Sequence, residues 1–321
     1  MATWSLPRKS WCFEMNVFRI KINPGSGEDT DLAKTFGYCI ENNVLGVGWG
    51  LDNGPDHITD WDEYERRFHY DRKQLQQPRY INDNVQKGDL VWTRGPNGSG
   101  KYESKYYLAQ VTSGWEYLCP PKANVPPKID IYNIFRCDIL PIEDSSAVPG
   151  KVIRSWGGRG RSIQRVTNVD AYSKLLWNSK SDNTHYDEID AENIGLFPLL
   201  DAWETEDVLA LYLQYRGWRF VPNSANKGTT QKYEFLVTKP GGEFAWTQVK
   251  SGHTAIDFDW YKDSDKKVIV WQPNRCYKND KPKHVECIDS EDVLQFIRTE
   301  SANNWLPEWL TLKARLARVV T

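Results

Sequence analysis

No stretch of this chain approaches the roughly 20 consecutive apolar residues that carry a helix across a bilayer. The opening residues MATWSLPRKSWCFEM also lack the long apolar core of a secretory signal. Charge of one sign is missing as well: 41 basic residues face 43 acidic ones, for a net −2. No global cationic field draws the chain toward polyanions, so any such attraction must come from local patches. Six cysteines, Cys12, Cys39, Cys119, Cys137, Cys276 and Cys287, are scattered without a CxxC pair or a zinc-like Cys/His spacing. That pattern speaks against a disulfide framework or a zinc finger and for reduced, mostly buried thiols. A cytoplasmic protein with no membrane partner is the expectation.

What is present in excess is aromatic: 15 Trp and 16 Tyr are more than a core of this size needs, and surplus amphipathic rings point to recognition surfaces. The length of 321 residues suits two domains. The expected division is residues 1–145, a connector over 146–200, and 201–321. Trp11 to Ile22 alternates like a strand, Asp31 to Asn42 reads as a helix, and Leu45 to Gly54 as a strand breaking into a glycine-rich turn. Trp61 to Gln77 reads as one charged helix, followed by strands at Asp89 to Arg94 and Lys105 to Val111. The loop between these strands, Gly95 to Lys101, has the spacing of a phosphate-cradling loop. Tyr102, however, stands where the cation-holding Ser or Thr belongs, and a strand follows where a helix is needed, so a hairpin loop is the better reading. Ala171 to Asn178, Asp289 to Arg298 and Trp305 to Val319 read as helices, the last with an apolar stripe of Leu306, Trp309, Leu310, Leu312 and Leu316.

Hairpin geometry and polar chemistry coincide at Tyr233 to Gly252. Two runs rich in β-branched and aromatic residues, Tyr233 to Thr238 and Phe244 to Val249, flank the turn Lys239-Pro240-Gly241-Gly242. Pairing across that turn sets Glu234 opposite Gln248. The period of two then puts Gln248, Lys250 and Glu234 on one face, with Val249 and Phe235 on the other. A carboxylate and an amide oxygen suit a hard cation such as Mg²⁺, and a lysine suits a developing anion. On an open sheet face the same three residues would be nothing more than solvated polar groups. The acidic loop of Asp257, Asp259, Asp263 and Asp265 beyond the hairpin is expected to be solvated.

Glu234 followed by Gln248-Val249-Lys250 resembles the PD-(D/E)xK nuclease signature, in the Gln-x-Lys form of Mrr-like restriction endonucleases, over roughly Glu204 to Trp271. EDVLALYLQYRGWRF, Glu206 to Phe220, resembles that family's leading helix, which carries a glutamate and ends in Gly-aromatic. KVIVWQ, Lys267 to Gln272, resembles the strand after the lysine. Glu234 stands where the family usually has Asp. The resemblance implies a Mg²⁺-dependent endonuclease of restriction or defence type, with Glu234, Gln248, Lys250 and Glu206 catalytic and Glu234 and Gln248 on the metal. It further implies a mixed central sheet and a homodimer for double-strand cleavage.

Over about Trp11 to Pro141, Gly46-Val47-Gly48-Trp49, the Lys-Gly-Asp-Leu-Val-Trp turn and the Tyr-Leu-Ala-Gln-Val strand are loosely similar to the PUA-like superfamily of EVE, SRA and YTH readers. The similarity implies a small β-barrel that accepts a base between aromatic rings, with Trp49, Trp92 and Trp115 as candidate walls and the glycines around Trp49 leaving room for a ligand. From Val148 to Thr167, Lys151, Arg154, Arg159, Arg161 and Arg165 surround Trp156 without one acidic residue. Arginine forks grip phosphate and a tryptophan stacks on a base; a solvated linker is the competing reading. The expected fold is thus α+β or α/β: an N-terminal PUA-like β-barrel and a C-terminal restriction-endonuclease-like α/β domain. The expected function is DNA cleavage directed by a base reader. A non-cleaving nucleic-acid binder and an RNA-directed nuclease are the alternatives.

Overall fold

The computed structural model describes residues 15–22, 31–51, 54–69, 73–119, 129–143, 145–156, 161–182, 186, 195–224 and 233–320. The chain forms two compact units: Met1–Glu143 with Arg159–Asp170, and Asp144–Gly158 with Ala171–Thr321. The basic stretch is therefore divided between the units. Among the described residues, no helix is long and apolar enough to cross a membrane.

The first unit contains β1 (Val17–Ile20), α1 (Leu32–Glu41), β2 (Val44–Val47), β3 (His57–Ile58), α2 (Trp61–Arg67), α3 (Gln76–Asn84), β4 (Leu90–Arg94), β5 (Tyr106–Leu118), β6 (Asn133–Ile142) and β7 (Ile163–Arg165). Asp31 caps α1, its carboxylate accepting from the Lys34 N–H at 3.0 Å. The charged stretch expected as one helix is two. Phe68 leaves α2 in an extended conformation and buries its ring against Tyr64, with centroids 5.8 Å apart. The sheet runs β2-β6-β5-β4-β1-β7, with β3 paired to β5. A bulge between Val111 and Trp115 shifts the register of β5 against β6. On β5, Tyr106 to Gln110 also pair with β4, whereas Tyr117 and Leu118 pair with β3.

No sheet among the described residues closes into a barrel, contrary to the expectation for this half. Closure needs hydrogen bonds between the first and last strands, and β2 pairs with β6 alone while β7 pairs with β1 alone. Both edges are short, at four and three residues, which limits the unpaired backbone they present. The loop with phosphate-loop spacing joins β4 to β5 as a hairpin. Its lysine, Lys101, pairs with Glu41 at 3.0 Å.

The second unit contains α4 (Gly150–Ser155), α5 (Asp170–Lys180), α6 (Ala202–Tyr215), β8 (Arg219–Phe220), β9 (Phe235–Thr238), β10 (Phe244–Val249), β11 (Ile256–Asp257), β12 (Lys267–Trp271), β13 (Tyr277–Lys278), β14 (Val285–Cys287), α7 (Ser290–Ala302) and α8 (Glu308–Leu316). Its five-stranded sheet runs β14-β12-β10-β9-β8 and is mixed. The β8–β9 and β9–β10 pairs are antiparallel, whereas β10–β12 and β12–β14 are parallel. β10 is thus an inner strand with neighbours of opposite sense. α6 begins with a reciprocal cap in which Asp201 accepts from the Glu204 N–H at 3.0 Å and Glu204 accepts from the Asp201 N–H at 2.7 Å. Farther along, α6 meets α7 through Tyr212 and Tyr215 against Phe296. The protein as a whole is a mixed α and β fold with mixed sheets.

Candidate active site

The hairpin has the register that its turn and alternation require. Thr247 lies across from Phe235, and the Glu234 N–H donates to the Thr247 carbonyl at 2.7 Å, so Glu234 faces Gln248. Phe235 and Val249 are buried on the opposite face. The Gln248 amide donates from Nε2 to Glu234 Oε1 at 2.9 Å. Lys250, two residues further on and diagonal to Glu234, donates from Nζ to the same oxygen at 2.7 Å. This face is not the open surface on which such groups would merely be solvated. Gln248 is 0% exposed, and the Glu234 and Lys250 side chains are 23% and 29% exposed. Pairing with β12 makes β10 an inner strand, and the cover over this face comes from residues 256–261, which pack on Val268 and Val270.

Glu206 lies on α6 within electrostatic reach of Glu234 and Lys250. Burial pushes its carboxyl up to about 7, the Glu234 charge adds to the rise, and Lys250 works against it. Hydrogen bonds thus join Glu234, Gln248 and Lys250, while Glu206 feels the charges of Glu234 and Lys250. Gln248 Oε1 is buried and has no hydrogen-bond partner among the described residues. The amide meets Glu234 through its N–H, so the oxygen donors that fit a hard cation are the carboxylates of Glu234 and Glu206. Among the described residues, no three His, Cys, Asp or Glu side chains gather as a metal-binding group. The fit thus rests on two carboxylates, as suits an ion that keeps several waters.

The remaining candidates are placed differently from one another. Trp92 is 0% exposed on β4 and Trp115 is nearly as buried. Trp115 stands edge-on to Trp61 at 5.0 Å and donates to Asn133 Oδ1 at 3.1 Å. These two rings are core, because inner strands bury their large side chains. Trp49 is 40% exposed at φ +73°, its carbonyl accepting from the Tyr64 hydroxyl at 2.9 Å and from Asn133 Nδ2 at 3.1 Å. The glycines near it do not make room for a ligand. A Cβ on Gly46 would meet the Asn133 carbonyl at 2.3 Å, and one on Gly50 would meet the Tyr132 ring at 2.8 Å.

Of the basic stretch, Lys151, Arg154 and Trp156 belong to the second unit and Arg161 and Arg165 to the first; Arg159 lies outside the described residues. Arg154 is engaged within its own unit, pairing with Asp201 at 2.8 Å and lying 5.2 Å over the Trp203 ring. Arg161 is exposed beside the Tyr80 ring, and Arg165 is exposed. Asp257 caps the 3-10 turn Phe258–Tyr261 and accepts from Asn279 at 2.7 Å. Asp259 pairs with Lys262 at 2.6 Å and Asp265 with Lys266 at 3.1 Å. The acidic loop is accordingly engaged locally.

Two features near the site carry no motif in the sequence. Tyr261 is wholly buried, its hydroxyl has no hydrogen-bond partner among the described residues, and the Glu234 charge reaches it. Lys313 on α8 is also wholly buried, paired with the capping carboxylate Glu204 and lying 4.8 Å from the Tyr172 ring centre. It interrupts the helical stripe of Leu310, Ala314 and Ala317, and a lysine between apolar positions was the one available signal. No family model, no curated protein and no solved structure matches this chain.

Proposed function

We propose that the protein is a Mg²⁺-dependent phosphodiester hydrolase, an endonuclease of restriction or defence type acting on DNA. The observation that carries the reading is the convergence on Glu234 of Gln248, from the inner strand β10, and of Lys250 just after it, with Glu206 on α6 feeling the charges of Glu234 and Lys250. Glu234 and Glu206 would hold the cation through carboxylate oxygens, with Gln248 holding Glu234 in place through its amide N–H. The cation would supply Lewis-acid polarisation of a phosphoryl oxygen and a more acidic bound water. Glu234 Oε1 accepts from both Lys250 and Gln248, which fixes the carboxylate and leaves its other oxygen for a ligand. Lys250 keeps its remaining N–H groups for an attacking water or a phosphate oxygen, where a fixed ammonium stabilises developing negative charge.

The reading extends to a base-reading first unit in which Trp49 is the recognition ring, to a homodimer for double-strand cleavage and to a cytoplasmic setting. The base reader is supported by one exposed ring in a left-handed backbone, and by exposed Arg161 and Arg165 on the same unit. The test is a Mg²⁺-dependent cleavage assay on plain and base-modified duplex DNA, with RNA alongside. Lys250→Ala and Glu234→Ala are expected to lower the rate by at least about 100-fold while circular dichroism stays unchanged. Wild-type rates in either folded variant would remove this active site. Binding without cleavage by the wild type would establish the non-cleaving reader instead.

A further inference from the structure

The sheet face that carries Glu234 and Gln248 has a second polar resident. Trp246 and Gln248 on β10 sit level with Val268 and Val270 on β12. Those two valines pack with Phe258 and Tyr261 in one buried cluster, which Trp246 borders. Two polar atoms are left over beside these valines: Gln248 Oε1, on the residue level with Val270, and the hydroxyl of Tyr261, which packs on Val268 and Val270; each is buried and without a hydrogen-bond partner among the described residues. One can only accept and the other can donate. Unmet polar groups are costly in a low-dielectric interior, and a single buried water that accepts from the phenol and donates to the amide oxygen satisfies both.

We propose that Tyr261 is a positioning residue of the site, its hydroxyl holding a buried water that donates to Gln248 Oε1 and so locks the amide with its N–H on Glu234. The two ends of an amide have nearly the same shape, so hydrogen bonds alone decide which end faces a neighbour. With the lock in place, Nε2 stays on Glu234 Oε1 beside the Lys250 ammonium. Without it, the amide is free to turn its oxygen toward the carboxylate, and Glu234 loses one of its two donors. Burial and the Glu234 charge both push the phenol pKa up, which keeps the hydroxyl protonated as a donor at neutral pH.

The inference rests on the hydrolase reading only for its activity consequence, and the test separates the two. In metal-free, full-length, ¹⁵N-labelled protein, the Gln248 side-chain amide is expected to show slow exchange and a cross-peak to a long-lived water. Tyr261→Phe, which removes one oxygen and keeps the ring, is expected to broaden that amide signal while the melting temperature holds. Its Mn²⁺ affinity, followed by electron paramagnetic resonance, should fall about 10-fold, the scale of lost outer-shell contacts at metal sites. An absent water cross-peak in the wild type, or an unchanged Gln248 signal in Tyr261→Phe, overturns the proposal. A fall in melting temperature with no change at Gln248 also overturns it and leaves Tyr261 as core. If the wild type neither binds Mn²⁺ nor cleaves while the amide effect stands, the lock is upheld and the hydrolase reading fails.

Discussion

Glu206 shows how one side chain makes the whole site sensitive to pH. Its carboxyl is raised from the ordinary 4.5 to about 7, by burial first and then by Glu234. A folded pKa above the unfolded one contributes stability that is fully present below the unfolded value and lost as pH rises through the folded one. The metal-free protein is therefore expected to lose melting temperature between about pH 5 and about pH 8, and Glu206→Gln to flatten that loss. Cation affinity should climb over the same interval as the competing proton leaves. A wild-type pH profile of melting temperature in Glu206→Gln would show that another group is responsible. That Glu206 belongs near the hairpin was implied by the resemblance of its helix to a nuclease leading helix. Its raised pKa was not, because it depends on a neighbour 28 positions away and on burial.

At the scale of elements, α6 delivers Glu206, and its first turn is held from three directions. Asp201 and Glu204 cap one another, Arg154 pairs with Asp201, and Lys313 on α8 pairs with Glu204. Lys313 is wholly buried, and desolvation lowers its pKa. Breaking such a pair strands the remaining charge: Lys313→Met is expected to cost about 3–5 kcal/mol in urea unfolding, and adding Glu204→Gln should recover most of it. A single variant within about 0.5 kcal/mol of wild type would mean that the pair is not formed in solution. The Asp201 cap was latent in the sequence as Asp-x-x-Glu before an apolar helix, whereas its tie to α8 joins residues more than 100 positions apart and has no local signal. The hairpin register is the opposite case, since turn length and alternation settled Glu234 against Gln248 from residues 233–252 alone.

For the whole molecule, the division into two units changes what the basic stretch does. Arg161 is exposed on the first unit, whereas Arg154 already pairs with Asp201 in the second. If the proposed DNA binding holds, Arg161→Ala should flatten the slope of log affinity against log salt by about 0.9, the value for one lost phosphate contact on duplex DNA. Arg154→Ala should leave that slope alone and lower the melting temperature, because its loss leaves Asp201 at the end of α6 without its cation. Equal slopes for wild type and Arg161→Ala would remove Arg161 from the interface.

Sequence by itself determined the local features of this protein: the start of α1 at Asp31, the β4–β5 hairpin in place of a phosphate loop, and the hairpin bearing Glu234, Gln248 and Lys250. Each follows from turn chemistry, capping or a short period, which act over a few residues. Tertiary structure alone decided that β10 is an inner strand, that Gln248 is buried, that Trp92 is core while Trp49 is exposed, and that the first unit's sheet stays open among the described residues. Those outcomes depend on which distant strand pairs with which and on what covers each face. No window of sequence contains that information, because burial is a property of the assembled layers and not of the segment that becomes buried.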